Sequence, residues 1–452
     1  MKSSSPIAAA TGPDGPPEAR PEGAQGAPSG ERAQTPRRRP PRRHARVIIG
    51  SIIAIALLAG GYTAACATAA LPDPQITLSP ELSSGGPEGL VIDVGPVQEL
   101  VDGQQGPSAV GWSEGTEVWS NSDRPRPIAS ITKVVTALVC LEQQPIAAGT
   151  DGAVHTWTEA DAARANAYAE QGGVTFPIPV GTRVTAKQML TMMLLPSAND
   201  FAAAYAVSVF GSEDAFAAAA QTWAAKNGLT SLQIFEPTGM DEYNVSTAAD
   251  LVRLGRLAMA NPTVSEITRL PSANMPWGIG TVKSSNPLLR KGNGILGIKT
   301  GSTSAAGYAL LSAEHQDVDG RDMIRFSAVL QRETTDERRD SSWALLDGMG
   351  KLAVTQEYVQ KDQVVGSART IDGAKIDLLA TKTVSAGLVP GEQASIAAKP
   401  GTIHVGKAGQ RAGTAHLRSP AGSTEIPIVT KQAIEDPGLW WRMTHPRELF
   451  GK

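Results

Sequence analysis

A serine hydroxyl becomes a useful nucleophile only when a neighbouring base takes its proton, and a lysine held away from water can be that base. The stretch Pro127-Ile128-Ala129-Ser130-Ile131-Thr132-Lys133 supplies both groups, three residues apart. It opens an apolar run, Val134 to Leu141, that reads as a buried helix. Lys133 then shares a helical face with Ser130, and Ser130 lies close to unpaired N–H groups and the positive end of the helix dipole. Capping by the serine and snorkelling by the lysine would explain the same four residues. The S-x-x-K pattern occurs once in the chain, and residues further along the chain separate the two readings.

Two further sets lie downstream: Ser197-Ala198-Asn199, at a break between helices, and Lys299-Thr300-Gly301, on a strand-like segment. S-x-N also occurs at Ser272-Ala273-Asn274 and Ser284-Ser285-Asn286, but only Ser197 stands between two helices. The order S-x-x-K, S-x-N, K-T-G resembles the penicillin-recognising serine acyl-transferases, which include class A β-lactamases and penicillin-binding proteins. The text PIASITKVVTALV, LLPSANDFAAAYA and GILGIKTGSTSAAGYALL is most similar to low-molecular-mass D-alanyl-D-alanine carboxypeptidases, over about residues 105 to 350.

That resemblance implies roles. Ser130 is the acyl-ester nucleophile and Lys133 its general base. Burial and the charge of Lys299 are both expected to depress Lys133. Ser197 relays a proton to the departing amine, and Asn199 orients Lys133 and holds the substrate peptide. Lys299 and Thr300 receive the terminal carboxylate. Gly301 lets substrate approach the strand closely. The backbone N–H groups of Ser130 and Ser302 form the oxyanion hole. The sequence departs from the pattern at two places. Ala198 stands where β-lactamases have Asp, and Glu236, in FEPTGMD, stands where the carboxypeptidase loop usually has Asn. Glu236 does not fit the β-lactamase glutamate motif and is read as non-catalytic, and Asp200 as a helix-start residue.

These groups must be positioned by a larger frame. Strand signals at residues 109–119 and again at 294–330 bracket an Ala-rich helical block that includes 186–195, 201–211, 213–227 and 248–260. Residues 142–185 carry no strong signal. A sheet with helices on its faces accommodates this order. The expected fold class is α/β (α+β), a serine β-lactamase/penicillin-binding-protein-like domain with an antiparallel sheet, flanking helices and an all-helical block. It spans residues 100–352 and is followed by a small β-rich domain over 353–452. Trp440 and Trp441 in the tail are expected to pack on that domain, a membrane surface being the alternative.

Upstream, residues 1–46 are rich in Pro, Gly, Ala and Arg and read as a disordered basic cytoplasmic tail. Residues 47–70 are uncharged and long enough for a transmembrane helix. The arginines before them set the N-terminus inside. A cleaved signal peptide and a lipoprotein signal at Cys66 compete with an uncleaved anchor, which is the reading adopted. Residues 71–99 read as a Pro/Gly/Ser linker.

The net charge of −3 gives no reason to expect nucleic acid as a partner. Two cysteines, placed in the apolar segment and in the nucleophile helix, do not imply a disulfide, and six scattered histidines form no metal motif. No cofactor is expected. The resemblance implies a serine-type D-Ala-D-Ala carboxypeptidase of the bacterial cytoplasmic membrane, single-pass, with its catalytic domain outside. Its partners would be the peptidoglycan stem peptide and β-lactam antibiotics as covalent inhibitors. A β-lactamase or D,D-endopeptidase using the same site, and a weakly catalytic cell-wall-binding protein, are the alternatives.

Overall fold

A computed structural model describes residues 42–83, 90–290 and 294–451. Most of the expected basic tail, residues 1–41, lies outside them. A five-stranded antiparallel sheet runs in the order Ile295–Thr303, Gly307–Val318, Arg321–Arg332, Ser108–Trp112, Val118–Ser120. Both faces of the sheet are covered, so its central strands are apolar on both sides. Ala309, Leu311 and Ala313 face the large core shared with the helical block, whereas Leu310 faces a smaller core with Val97, Val101, Leu345 and Met349. The alternation is the strand period of two.

The helix Thr132–Gln143 runs through the middle of the larger core, and every residue from Thr132 to Leu141 is buried. That explains an apolar sequence with no polar stripe. Around it pack Ala186–Leu194, Asn199–Phe210 and Ala248–Ala260. The stretch without a strong sequence signal contains the helix Glu159–Glu170, opened by a capping box between Thr158 and Asp161. Its few large apolar side chains hide the helical period, and aspartate at the reciprocal position weakens the usual signature.

The segment read as a linker is partly structural. Gln75–Leu78 and Leu90–Val91 are the two edge strands of a seven-stranded sheet otherwise built from residues 364–430. Leu78 and Leu82 are buried in its core. Composition misleads here because four alternating residues between prolines are enough for an edge strand. The first helix of the catalytic domain, Gly95–Asp102, also starts earlier than residue 100 and buries Val97 and Val101. The C-terminal helix Gly438–Thr444 lies against the membrane-length helix Arg42–Thr68, and its Arg442 lines a cavity with Ile371, Asp372, His404 and Val405 of the β-rich region.

Arg321, on the last hairpin of the catalytic sheet, joins the two sheets. Its guanidinium donates to both Glu392 oxygens, at 2.7 and 2.8 Å, to the Gly387 carbonyl at 2.9 Å and to Glu114 at 2.6 Å. Charged, forked hydrogen bonds of this kind are the strong ones. Arg321→Met is expected to lower stability by about 2–4 kcal/mol, because it strands Glu392 and a buried carbonyl. Thermal unfolding followed by calorimetry checks this, and an unchanged midpoint would show that the two sheets are held by packing alone.

Candidate active site

The site lies where the helix Thr132–Gln143, the helical block and the strand Ile295–Thr303 meet. Ser130 sits on a 3-10 turn, Ala129–Ile131, just before the helix that carries Lys133. Ala129 has φ +47°, in the left-handed region that an alanine enters only under constraint from its surroundings. Lys133 is fully buried. Its Nζ donates to Ser130 Oγ at 2.9 Å, to Asn199 Oδ1 at 2.5 Å and to the Thr238 carbonyl at 2.6 Å. One lysine therefore connects two of the three motifs and a fourth segment.

Asn199 opens its helix, and its backbone N–H donates to the Val174 carbonyl at 2.7 Å. Gly173 lies against the Asn199 amide so closely that a Cβ there would meet Nδ2 at 2.3 Å. Ser197, two residues earlier, is also left-handed, with φ +74°. The neighbouring Asp200 accepts from Phe176 N–H at 2.8 Å and from Phe201 N–H at 3.0 Å. Burial pushes Asp200 up to about 6, opposed by those hydrogen bonds and by Lys133.

The strand Ile295–Thr303 carries Lys299, Thr300, Gly301 and Ser302 and is the edge strand of its sheet. A Cβ on Gly301 would come within 2.6 Å of the Ile128 carbonyl and 3.3 Å of the Ser130 nitrogen. The absent side chain is what lets the strand and the Ser130 turn touch. Lys299 and Thr300 are buried and Ser302 is exposed.

Several groups escaped sequence reasoning. The loop of Glu236 supplies the third acceptor of Lys133. Glu236 accepts from Thr238 N–H at 2.7 Å, Thr238 Oγ1 at 2.6 Å, Gly239 N–H at 2.5 Å and Asn244 Nδ2 at 2.8 Å. Its carboxylate thus folds the loop that aims the Thr238 carbonyl at Lys133. Ser285, set aside in the sequence as a chance S-x-N match, places its hydroxyl 2.6 Å from Thr300 Oγ1 and 3.5 Å from Lys299 Nζ. Arg338 is buried behind the K-T-G strand, donates to the Gly301 carbonyl at 3.3 Å and lies over the Tyr308 ring. The signal for Glu236 was its departure from the usual asparagine. Nothing in the spacing marked Arg338.

The electrostatics differ from expectation in one respect. Burial pushes Lys133 down against the upward pull of the Glu236 and Asp200 carboxylates, to about 7. The repulsion between the two lysines is felt at Lys299. Burial, then the charge of Lys133 and then that of Arg338 hold Lys299 well below the ordinary lysine range. The hydrogen bonds agree: among the described residues Lys133 has three close acceptors, whereas Lys299 has the Thr300 carbonyl at 3.2 Å and Ser285 Oγ at 3.5 Å.

A helical block on an antiparallel sheet, with Ser130 and Lys133 at their junction and the K-T-G edge strand beside them, is the frame that holds the site. Two solved structures share this fold with the chain. The D-alanyl-D-alanine carboxypeptidase DacD of Francisella tularensis aligns with TM-score 0.50 and 18% identity, covering 74% of this chain and 94% of that one. Penicillin binding protein 5 of Haemophilus influenzae aligns with TM-score 0.51 and 18% identity, covering 73% and 97%. Residues 118–333 match the family model described as D-alanyl-D-alanine carboxypeptidase. The D-alanyl-D-alanine carboxypeptidase DacB2 of Mycobacterium tuberculosis is 35% identical over 41% of this chain, and a D-alanyl-D-alanine endopeptidase of Pseudomonas aeruginosa is 30% identical over 42%. The chain spans 62% and 60% of the length of these two relatives. A carboxypeptidase of Bacillus subtilis, DacF, is 24% identical over 71% of this chain and 82% of its own length.

Proposed function

We propose that the protein is a membrane-anchored, extracytoplasmic serine D-alanyl-D-alanine carboxypeptidase that removes the terminal D-alanine from peptidoglycan stem pentapeptides. The observation that carries this reading is the hydrogen bond from Lys133 Nζ to Ser130 Oγ, made by a lysine that burial has brought near neutrality. Neutral Lys133 takes the Ser130 proton as Oγ attacks the carbonyl of the penultimate D-alanine. The peptide lies as an added strand on the free edge of the K-T-G strand. Its carboxylate meets Lys299 and Thr300, with Arg338 adding positive charge from behind. The Ser130 and Ser302 N–H groups stabilise the oxyanion. Ser197 passes the proton to the departing D-alanine, and water then cleaves the acyl ester. β-Lactams acylate Ser130 by the same first step. Among the described residues one helix, Ala45–Thr68, is long and apolar enough to cross a membrane and supports the anchored reading.

Purified protein is expected to release D-alanine from a diacylated Lys-D-Ala-D-Ala peptide and to form a covalent penicillin adduct. If it does neither while still binding peptidoglycan, a cell-wall-binding role replaces this one. The name of the Pseudomonas relative supports a second reading as an endopeptidase. Faster cleavage of a cross-linked muropeptide dimer than of the pentapeptide would favour it.

The two lysines titrate as a pair. A ligand carboxylate at Lys299 restores the charge of that side chain, and the charge drives the proton off Lys133. Acylation at saturating penicillin should therefore rise with pH. Lys299→Ala removes the repulsion, lets Lys133 keep its proton and moves the rise to higher pH. Glu236→Gln removes an attractive charge and moves it to lower pH. Stopped-flow acylation between pH 5 and 9, about two units either side of neutrality, reads both directions. Coincident profiles would show that neither charge reaches Lys133.

A further inference from the structure

The two ends of the described chain meet. The membrane-length helix Arg42–Thr68 finishes, like any helix, with carbonyls that have no partner within it. Arg442, on the helix Gly438–Thr444, takes one of them and a neighbour. Its Nη1 donates to the Ala69 carbonyl at 2.7 Å and the Cys66 carbonyl at 3.2 Å. The other side of the guanidinium is held by both oxygens of Asp436, at 2.6 and 3.2 Å. Two turns back along the membrane helix, Tyr62 Oη donates to the Met443 carbonyl at 2.6 Å. Cys66 is completely covered, although nearly all the residues before it on this helix are exposed. Away from this contact the C-terminal segment exposes Leu439, Trp440 (78%) and Phe450. Tryptophan and large aliphatic side chains beside a membrane-crossing helix favour the layer between hydrocarbon and water. Arg442 brings no free charge to that layer because Asp436 neutralises it.

We propose that residues 436–451 form a clasp that closes on the outer end of the membrane helix and seats Leu439, Trp440 and Phe450 in the outer interfacial layer of the bilayer. The partner is a lipid surface, and the membrane helix is a retained part of the fold. A leader cleaved after Cys66 would remove both the Tyr62 and the Cys66 contacts, and one cleaved just before Cys66 would remove that of Tyr62. The proposal rests on the membrane reading of residues 45–68 and is independent of the acyl-transfer reading.

Cys66 is a built-in reporter. In detergent-solubilised full-length protein, N-ethylmaleimide is expected to modify Cys66 slowly. In Arg442→Ala the rate should rise at least about tenfold, with Cys140 in the catalytic core unmodified in both. Penicillin labelling of the variant confirms that the catalytic domain has folded. Equal rates at Cys66 in the two proteins would overturn the clasp alone, whereas a mature protein lacking Cys66 would overturn the membrane reading with it. The lipid contact is read separately. In phosphatidylcholine vesicles containing brominated lipid, wild-type emission should be quenched more than that of Trp440→Phe. Equal quenching would show that Trp440 does not enter the bilayer.

Discussion

Ser130→Ala is expected to abolish covalent labelling by a fluorescent penicillin, and Lys133→Ala to slow it by about 10²- to 10⁴-fold, the usual contribution of a positioned general base. The two losses differ in kind. Without Ser130 there is no oxygen to acylate. Without Lys133 the oxygen remains but keeps its proton. Lys133→Ala also leaves the Asn199 amide oxygen and the Thr238 carbonyl without their buried donor, at roughly 1–3 kcal/mol each. It should therefore unfold at lower temperature, whereas Ser130→Ala should not. Intact-mass spectrometry after incubation with penicillin checks the adduct, and calorimetry checks the stability difference. An adduct of equal yield on Ser130→Ala would remove Ser130 from the mechanism.

Gly239→Ala is the second large effect. Gly239 has φ +85°, and a Cβ built on it would fall 1.9 Å from the Ala129 carbonyl oxygen and 2.8 Å from the Ser130 nitrogen. No side-chain rotation relieves that contact, because both partners are backbone. Gly211 is the natural control. It has the same φ of +85°, but nothing lies within 4 Å of its virtual Cβ. Gly211→Ala should cost only the left-handed penalty of about 1–2 kcal/mol. Gly239→Ala should cost at least about 3 kcal/mol, or else push the Ser130 turn out of register and reduce acylation more than a hundredfold. Equal midpoints and equal labelling rates for the two variants would show that the loop adjusts freely around Ser130.

These two predictions mark what was legible in the sequence. Ser130, Lys133, Asn199 and Gly301 were visible because the chemistry fixes residue type and local spacing. A base one helical turn from its nucleophile, and a glycine where backbones touch, leave a mark in a few consecutive letters. The Glu236–Gly239 loop and Ser285 were not legible in this way. They reach the site through tertiary contacts over a hundred residues or between strand and loop, and their own segments carry no periodicity. Arg338 is a charge in the first turn of an amphipathic helix, where exposed arginines are common, and only burial distinguishes it. The sheet and helical block were legible from alternating and unbroken apolar runs. The edge strand at Gln75–Leu78 was not, since its stabilising partner, Val364–Arg369, is far along the chain.

That edge strand also bears on biosynthesis. Ile76 pairs with Ala368, so the whole catalytic domain is an insertion within the sheet that its two ends complete. A chain made from its N-terminus must add roughly 300 further residues before that strand can pair, tens of seconds at about 5–20 residues per second. Through that interval the segment is an open ladder of backbone donors and acceptors. Its brevity, and the prolines that flank it at Pro74 and Pro80, keep it from recruiting a wrong partner. The seven-stranded sheet can close only after residues 95–352 have been made, so completion of that sheet reports that the inserted domain is already whole.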